Sequence, residues 1–245
     1  CINASGRLST AKRAQELRMA EDEKKAAELA VDLKALNESR KEMTAKGVEE
    51  AVQMIETSHM DSDRVLVIYL PKCHESLAGI IAGRIRERYA KPVFVLTKGE
   101  EGVKGSGRSI EAYHMFKELV KCKALLSKFG GHPMAAGLSL PEENVDAFRK
   151  LLNDNCALTE EEMAEKVRID VPMPISYVNM PLIRQLNLLE PFGKGNTKPL
   201  FAQKNIKITG CRVFGKNRNV VKMKLYDENG FEADGVWFGD GDAFV

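Results

Sequence analysis

The chain has 245 residues, 44% hydrophobic and 29% charged, enough for one domain-sized core or two smaller ones, which excludes a disordered tail or a fibre. With 37 Lys plus Arg against 35 Asp plus Glu, the net charge of +2 calls for no partner of either sign, so any basic surface has to be local. The 5 Cys are scattered without a C-x-x-C pair and no apolar run reaches the length of a membrane span, which argues against a disulfide framework, a thiolate zinc site and a bilayer, and fits a reducing cytosol.

Ser9 is placed to cap a helix through Ala11, Ala14 and Leu17, and Leu29, Leu33 and Leu36 mark a second helical stripe. Acids and bases alternate densely from residue 12 to 50, the mark of a helical connector with a solvated face. Val65 to Ile68 read as a buried strand, Leu77, Ile80, Ile81 and Ile85 as one face of a helix, and Val93 to Leu96 as a second strand, together a βαβ-like unit. A glycine-rich turn region from Gly99 to Gly107, a helix near Glu111 to Val120 and a second glycine turn at Gly130 and Gly131 are expected next. Met134 to Leu140 suits a strand, and a helix from Pro141 carries Val145, Phe148, Leu151 and Leu152.

Residues 157–166 are polar and acidic, a linker or short helix. Beyond them, Leu182 to Leu189 read as a short helix, Pro191 to Asn196 as a turn, and Ile206, Ile208, Val221, Met223 and Leu225 alternate with Lys as in strands, which together suggest a small or incomplete barrel. The chain opens at Cys1 rather than Met and stops directly after an apolar run, so both ends read as cuts through something longer.

Three places offer chemistry. In Lys104-Gly105-Ser106-Gly107-Arg108-Ser109, closely spaced glycines with Ser hydroxyls and a guanidinium suit either an anion cradle or a plain loop; the spacing is not that of a P-loop. Phe129-Gly130-Gly131-His132 brings an imidazole next to accessible backbone, as a proton-transfer group or simply as a packed residue. From Gln203 to Leu225 there are 7 bases (Lys204, Lys207, Arg212, Lys216, Arg218, Lys222 and Lys224) and no acid, with Phe201 and Phe214 as possible stacking faces; a nucleic-acid surface and a solvated strand face are the two readings. His74-Glu75 is not H-E-x-x-H, because Ala78 stands where the second His belongs. The 4 His have no zinc-ligand spacing, and Asp61, Asp63 and Asp170 form no recognisable acid–base pair.

Cys1 to Leu8, His74 to Arg84, Gly105 to Ser109, Phe129 to His132 and Leu189 to Asn196 resemble, in this order, motifs of the RecJ family of bacterial single-strand-specific 5′-to-3′ DNA exonucleases. The resemblance implies that residues 1–8 end a DHH catalytic domain, 9–58 form the helical connector, 59–156 a DHHA1-type mixed-sheet α/β domain, 157–166 a linker and 167–245 a partial β-barrel of the OB type, truncated at its C-terminus. It implies a role in recombination and repair, Mn2+ or Mg2+ held by residues outside this chain, and a piece that binds without cutting. His132 would face the cleft; Arg108, Ser106 and Ser109 would hold a strand's phosphate end with Gly130 and Gly131; Asn3 and Arg7 would line the other side, with His74 and Arg84 near them. The seven bases would bind single-stranded DNA, and single-strand-binding protein and a helicase are the expected protein partners. Glu75 stands where the family favours Pro or a small residue, and Thr197 where Pro is common. Two other readings stay open: a phosphodiesterase for short oligonucleotides or cyclic dinucleotides, and a protein-docking module without DNA contact.

Overall fold

A computed structural model describes residues 2–8, 10–164, 166–193 and 195–245, in two compact units that divide between residues 165 and 166. The first unit opens with α1 (Ile2–Leu8), α2 (Lys12–Met19) and α3 (Glu23–Thr57). Ser9 lies outside the described residues, and the N-cap of α2 is Ala11, with no side-chain bond. The N-cap of α3 is Asp22, whose Oδ2 accepts from the Lys25 amide at 3.0 Å. The expected second stripe runs much further than Leu36: Leu33, Asn37, Thr44, Ala51 and Ile55 bury one side of a single 35-residue helix. Glu38 pairs with Lys41 at 3.0 Å on the exposed side of this helix.

A five-stranded sheet follows, built from β1 (Leu66–Tyr69), β2 (Val93–Lys98), β3 (Val103–Arg108), β4 (Lys128–His132) and β5 (Ala135–Leu140) in the order β1-β2-β3-β5-β4. Only β1 and β2 are parallel, because α4 (Glu75–Tyr89) crosses between them as the βαβ pattern requires; the other pairs are antiparallel. On one side of the sheet α3 and α4 close a core of Ala51, Ile55, Leu66, Ile81, Ile85 and Val95. On the other, α5 (Met115–Lys121) and α6 (Val145–Asn155) cover Phe94, Leu96, Val103, Leu138 and Phe148. The unit is thus helix, sheet, helix, with strands β1 and β2 covered on both faces. The short α7 (Glu160–Met163) starts with a capping box between Thr159 and Glu162.

The first expected glycine turn is narrowed to residues 99–102, where the Gly99 amide donates to the Gly102 carbonyl at 2.8 Å between β2 and β3, and the second is corrected. Gly105 and Gly107 lie inside β3, where strand pairing uses their backbone, and the helix expected from Glu111 starts only at Met115. A Cβ on Gly105 would come 2.5 Å from Leu96, and one on Gly107 2.5 Å from Met115 and 2.6 Å from Phe94. These glycines make room for large core neighbours rather than turning the chain. Gly130 and Gly131 lie in β4, and the hairpin turns at Pro133-Met134 instead.

In the second unit β6 (Val171–Pro172) pairs in parallel with β7 (Phe201–Ala202), with α8 (Met180–Asn187) between them in sequence. Then β8 (Lys207–Phe214), β9 (Val220–Tyr226) and β10 (Glu232–Phe238) form an antiparallel sheet, followed by α9 (Gly241–Phe244). The polar stretch of β10 gives little strand signal in sequence; pairing with β9 over seven residues forms it. Among the described residues no helix is long and apolar enough to cross a membrane.

Candidate phosphate-binding cleft and nucleic-acid face

Alternation along β3 sends Lys104, Ser106 and Arg108 to the α4 side of the sheet and the intervening residues to the opposite core. Strand pairing extends this side into three rows: Arg108–Ala135–His132, Ser106–Gly137–Gly130 and Lys104–Ser139–Lys128. Arg108 and His132, 24 positions apart in sequence, therefore stand in one row with a single small residue between them. A cleft of about 290 Å³ opens along the Ser106 and Lys104 rows, lined by residues that include Glu75, Ser76, Lys104, Ser106, Gly137 and Ser139 but not by Arg108 or His132.

Arg108 is half-buried, and its Nη1 donates to the Gly107 carbonyl at 2.7 Å and to Ser106 Oγ at 3.3 Å. Burial, then the neighbouring Arg7 and Arg86 charges, hold its guanidinium below its usual pKa. No ion pair reaches Arg108 or Arg7 among the described residues. Arg86 pairs with its neighbour Glu87 at 3.2 Å, which leaves Arg108 and Arg7 as adjoining guanidiniums without an ion pair among the described residues, the electrostatic form of an anion site. Arg7 reaches the site from α1, donating to the Ser76 carbonyl in the first turn of α4 at 2.8 Å. Gly79 keeps the space open: a Cβ there would lie 2.7 Å from Arg108 Nη2 and 2.8 Å from Ser106 Oγ.

Other sequence-designated residues fall differently. Ser109 is buried and donates its hydroxyl to the Tyr113 carbonyl at 2.5 Å, so it anchors the chain after β3 and does not face the cleft. Arg84 is exposed and lies about 140° around the helix from Gly79 at about 100° per residue. Arg86 takes its place, on one helix side with Ser76, Gly79 and Gly83; that stripe of small residues at helical spacing was the available signal for it. His74 is the N-cap of α4, its Nδ1 accepting from the Ser76 amide at 3.3 Å and 2.8 Å from Ser76 Oγ. Glu75 binds Lys104 at 2.7 Å. Asn3 is exposed one turn before Arg7 on α1. His132 is exposed, and its Nδ1 accepts from the Met134 amide at 3.2 Å, so a neutral ring carries its proton on Nε2. Gly131 is extended at φ 158 rather than left-handed; its missing side chain leaves room for the Ala135 carbonyl, 2.4 Å from where a Cβ would stand.

On the second unit, register places Phe214, Val220 and Phe238 in one row, Arg212, Lys222 and Val236 in the next, then Thr209, Lys224 and Asp234. Phe214 and Phe238 are exposed, and the Lys222 ammonium lies 5.8 Å from the Phe214 ring centre. Acids from later in the chain occupy two of the seven bases: Lys224 pairs with Glu232 at 2.6 Å and Asp234 at 2.8 Å, and Arg218 forks onto Asp242. Lys207 is exposed on β8, whereas Lys204 and Lys216 lie in the flanking loops. Phe201 belongs to β7, outside this sheet, so it is not the partner of Phe214 that its sequence position suggested. Among the described residues no group of three His, Cys, Asp or Glu side chains is arranged to hold a metal ion.

A family model described as the DHHA1 domain matches residues 62–158, and one described as the RecJ OB domain matches residues 169–245. A single-stranded-DNA-specific exonuclease RecJ of Bacillus subtilis is 35% identical over 98% of this chain and 31% of its own length; one of Haemophilus influenzae is 34% identical over 94% and 41%. The crystal structure of RecJ from Thermus thermophilus in complex with Mg2+ superposes with a TM-score of 0.76 at 26% identity, covering 97% of this chain and 41% of that one. A manganese-bound exonuclease RecJ matches 66% of this chain and 40% of its own with a TM-score of 0.59 and 28% identity. The chain thus spans about a third of the first relative's length and two fifths of the second's.

Proposed function

From a RecJ-family chain made of a DHHA1 domain and a RecJ OB domain behind a helical segment, we propose the substrate-holding part of a single-stranded-DNA-specific 5′-to-3′ exonuclease acting in recombination and repair. Residues 1–8 are the end of the catalytic DHH domain in this reading and 9–58 its connector to the DHHA1 domain. The observation that carries the proposal is the Arg108 site: a half-buried guanidinium beside Arg7, neither of them ion-paired among the described residues, in one row with His132.

A phosphate at this site meets Arg108 as a two-pronged donor and Ser106 as a hydroxyl donor, with Arg7 and Arg86 supplying long-range charge. His132, with Nδ1 engaged, presents Nε2–H to a phosphoryl oxygen from the next-but-one strand, where negative charge accumulates as the ester bond breaks. Relatives are described with Mg2+ or Mn2+, but the described residues do not form a donor set for such an ion. The ions belong with residues other than these, and the chain binds and orients the strand without cutting it. On the OB domain the row of Phe214 and Phe238 beside Arg212 and Lys222 is the end of the sheet suited to stacked bases and their phosphates.

The test is an anisotropy titration of this chain with 5′-phosphorylated and 5′-hydroxyl single strands and a duplex of equal length, over a salt series. The single strand should bind best and the 5′-phosphate should add affinity. Arg108→Ala should remove that increment, worth about 1.5–3 kcal/mol for a charge-assisted bond. Equal binding of duplex and single strand, with no effect of Arg108→Ala, would overturn the reading.

A further inference from the structure

Gly130 and Gly137 face each other across β4 and β5 in the middle row of the cleft side. Glycine in paired strands normally has a local reason, and elsewhere in this sheet one is visible: side chains at Gly105, Gly107 and Gly131 would collide with neighbours. Gly130 and Gly137 lack that reason. A Cβ on Gly130 meets nothing within 4 Å, and one on Gly137 only the Gly105 carbonyl at 3.9 Å. Both residues are exposed, on a part of the sheet where Lys128 and His132 are exposed as well. The fold would accept side chains at both positions, yet the surface there is bare backbone.

That bare row separates two rows that carry positive charge. At one end stands Arg108 with His132; at the other stand Lys104 and Lys128, four residues along each strand, roughly 13 Å away at about 3.3 Å per residue. Lys128 has no ion-pair partner among the described residues. Lys104 is held by Glu75 in an exposed pair, the kind that contributes little and exchanges readily for another anion.

The geometry points to a track for the nucleic-acid backbone, resting on the reading of Arg108 as a phosphate site: the strand leaves Arg108 and His132, lies flat over Gly130 and Gly137, and sets a later phosphate between Lys128 and Lys104. Lys128 and Gly137 are then positioning residues for the strand beyond its end. A nucleoside monophosphate is too short to use the track, whereas an oligonucleotide of a few residues reaches its far row.

The experiment compares thymidine 5′-monophosphate with a 5′-phosphorylated tetranucleotide by calorimetric titration of the whole chain. The variants are Arg108→Ala, Lys128→Ala, Gly137→Val and Gly130→Val, each with a thermal melt. The track predicts unchanged melting for the two glycine variants and about tenfold weaker tetranucleotide binding, with monophosphate binding untouched. It predicts the same split for Lys128→Ala, with the salt slope shallower by about 0.7, the contribution of one phosphate on a single strand. Should Arg108→Ala weaken both ligands while Lys128→Ala and the folded glycine variants weaken neither, the track is wrong and the phosphate site stands. Should Arg108→Ala also change nothing, the phosphate site itself is wrong.

Discussion

Gly79 shows how one atom sets the geometry of the Arg108 site. As a glycine inside a helix it costs stability relative to alanine, roughly 1 kcal/mol of intrinsic propensity. Its absent Cβ is what lets Arg108 and Ser106 approach the α4 backbone. Gly79→Ala should therefore melt at the same temperature as the native chain or higher, because the atoms it displaces are side-chain tips, while 5′-phosphate affinity falls about tenfold, less than one charge-assisted bond is worth in full. A melt and a titration on the same sample decide it; lower stability, or unchanged affinity, would mean that Arg108 is positioned from elsewhere. Much of this site was legible as residue types: Arg108, Ser106, Arg7 and His132 stand out in sequence beside glycines. Their assembly was not, because sequence showed a loop where cross-strand register makes rows. Ser109 is indistinguishable in sequence from Ser106, and only the alternation of β3 sends one to the core and the other to the cleft.

At the level of elements, the βαβ unit, α6 and the lysine-alternating strands β8 and β9 were readable, since each has a clear period and ends in turn residues or prolines. β3 and β4 were not, because glycines inside paired strands look in sequence like glycines chosen for turns. The charged connector was readable as helix but not in extent, since its buried positions include Asn37, Thr44 and Gly47. Gly47 sits where α3 crosses α4, a Cβ there falling 2.5 Å from Ile81. Toward the amino end the same face buries Leu33. Leu33→Ala should cost about 2–5 kcal/mol as a core truncation, whereas Val31→Ala, two-thirds exposed on the same helix, should stay within about 0.5 kcal/mol. Denaturant unfolding of the two variants measures this; equal costs would show that α3 carries no buried stripe.

Across the whole molecule, +2 conceals how the charges are distributed. The strongest basic run in the sequence is partly neutralised in the fold, because acids that come later in the chain reach Lys224 when β10 pairs with β9. Hydrogen bonding to Lys224 holds the Glu232 and Asp234 carboxyls below their ordinary values of 4.5 and 3.8. A carboxyl depressed in the folded state stabilises the fold above its unfolded pKa, and that contribution disappears as pH falls through the folded value. The clamp is exposed, so its effect on stability is small, but its effect on charge is not. Glu232→Gln with Asp234→Asn raises the formal charge by two, from +2 to +4, and frees Lys224 beside Lys222. Single-strand binding at neutral pH should then tighten and its salt slope should steepen by about 0.7, one added phosphate contact. Once the pH has fallen through both folded carboxyl pKa values, the variant and the native chain should differ little in melting temperature. An unchanged salt slope at neutral pH would show that bound DNA stays at the Phe214 end of the sheet, and that the acids of β10 mark its boundary rather than regulate its charge.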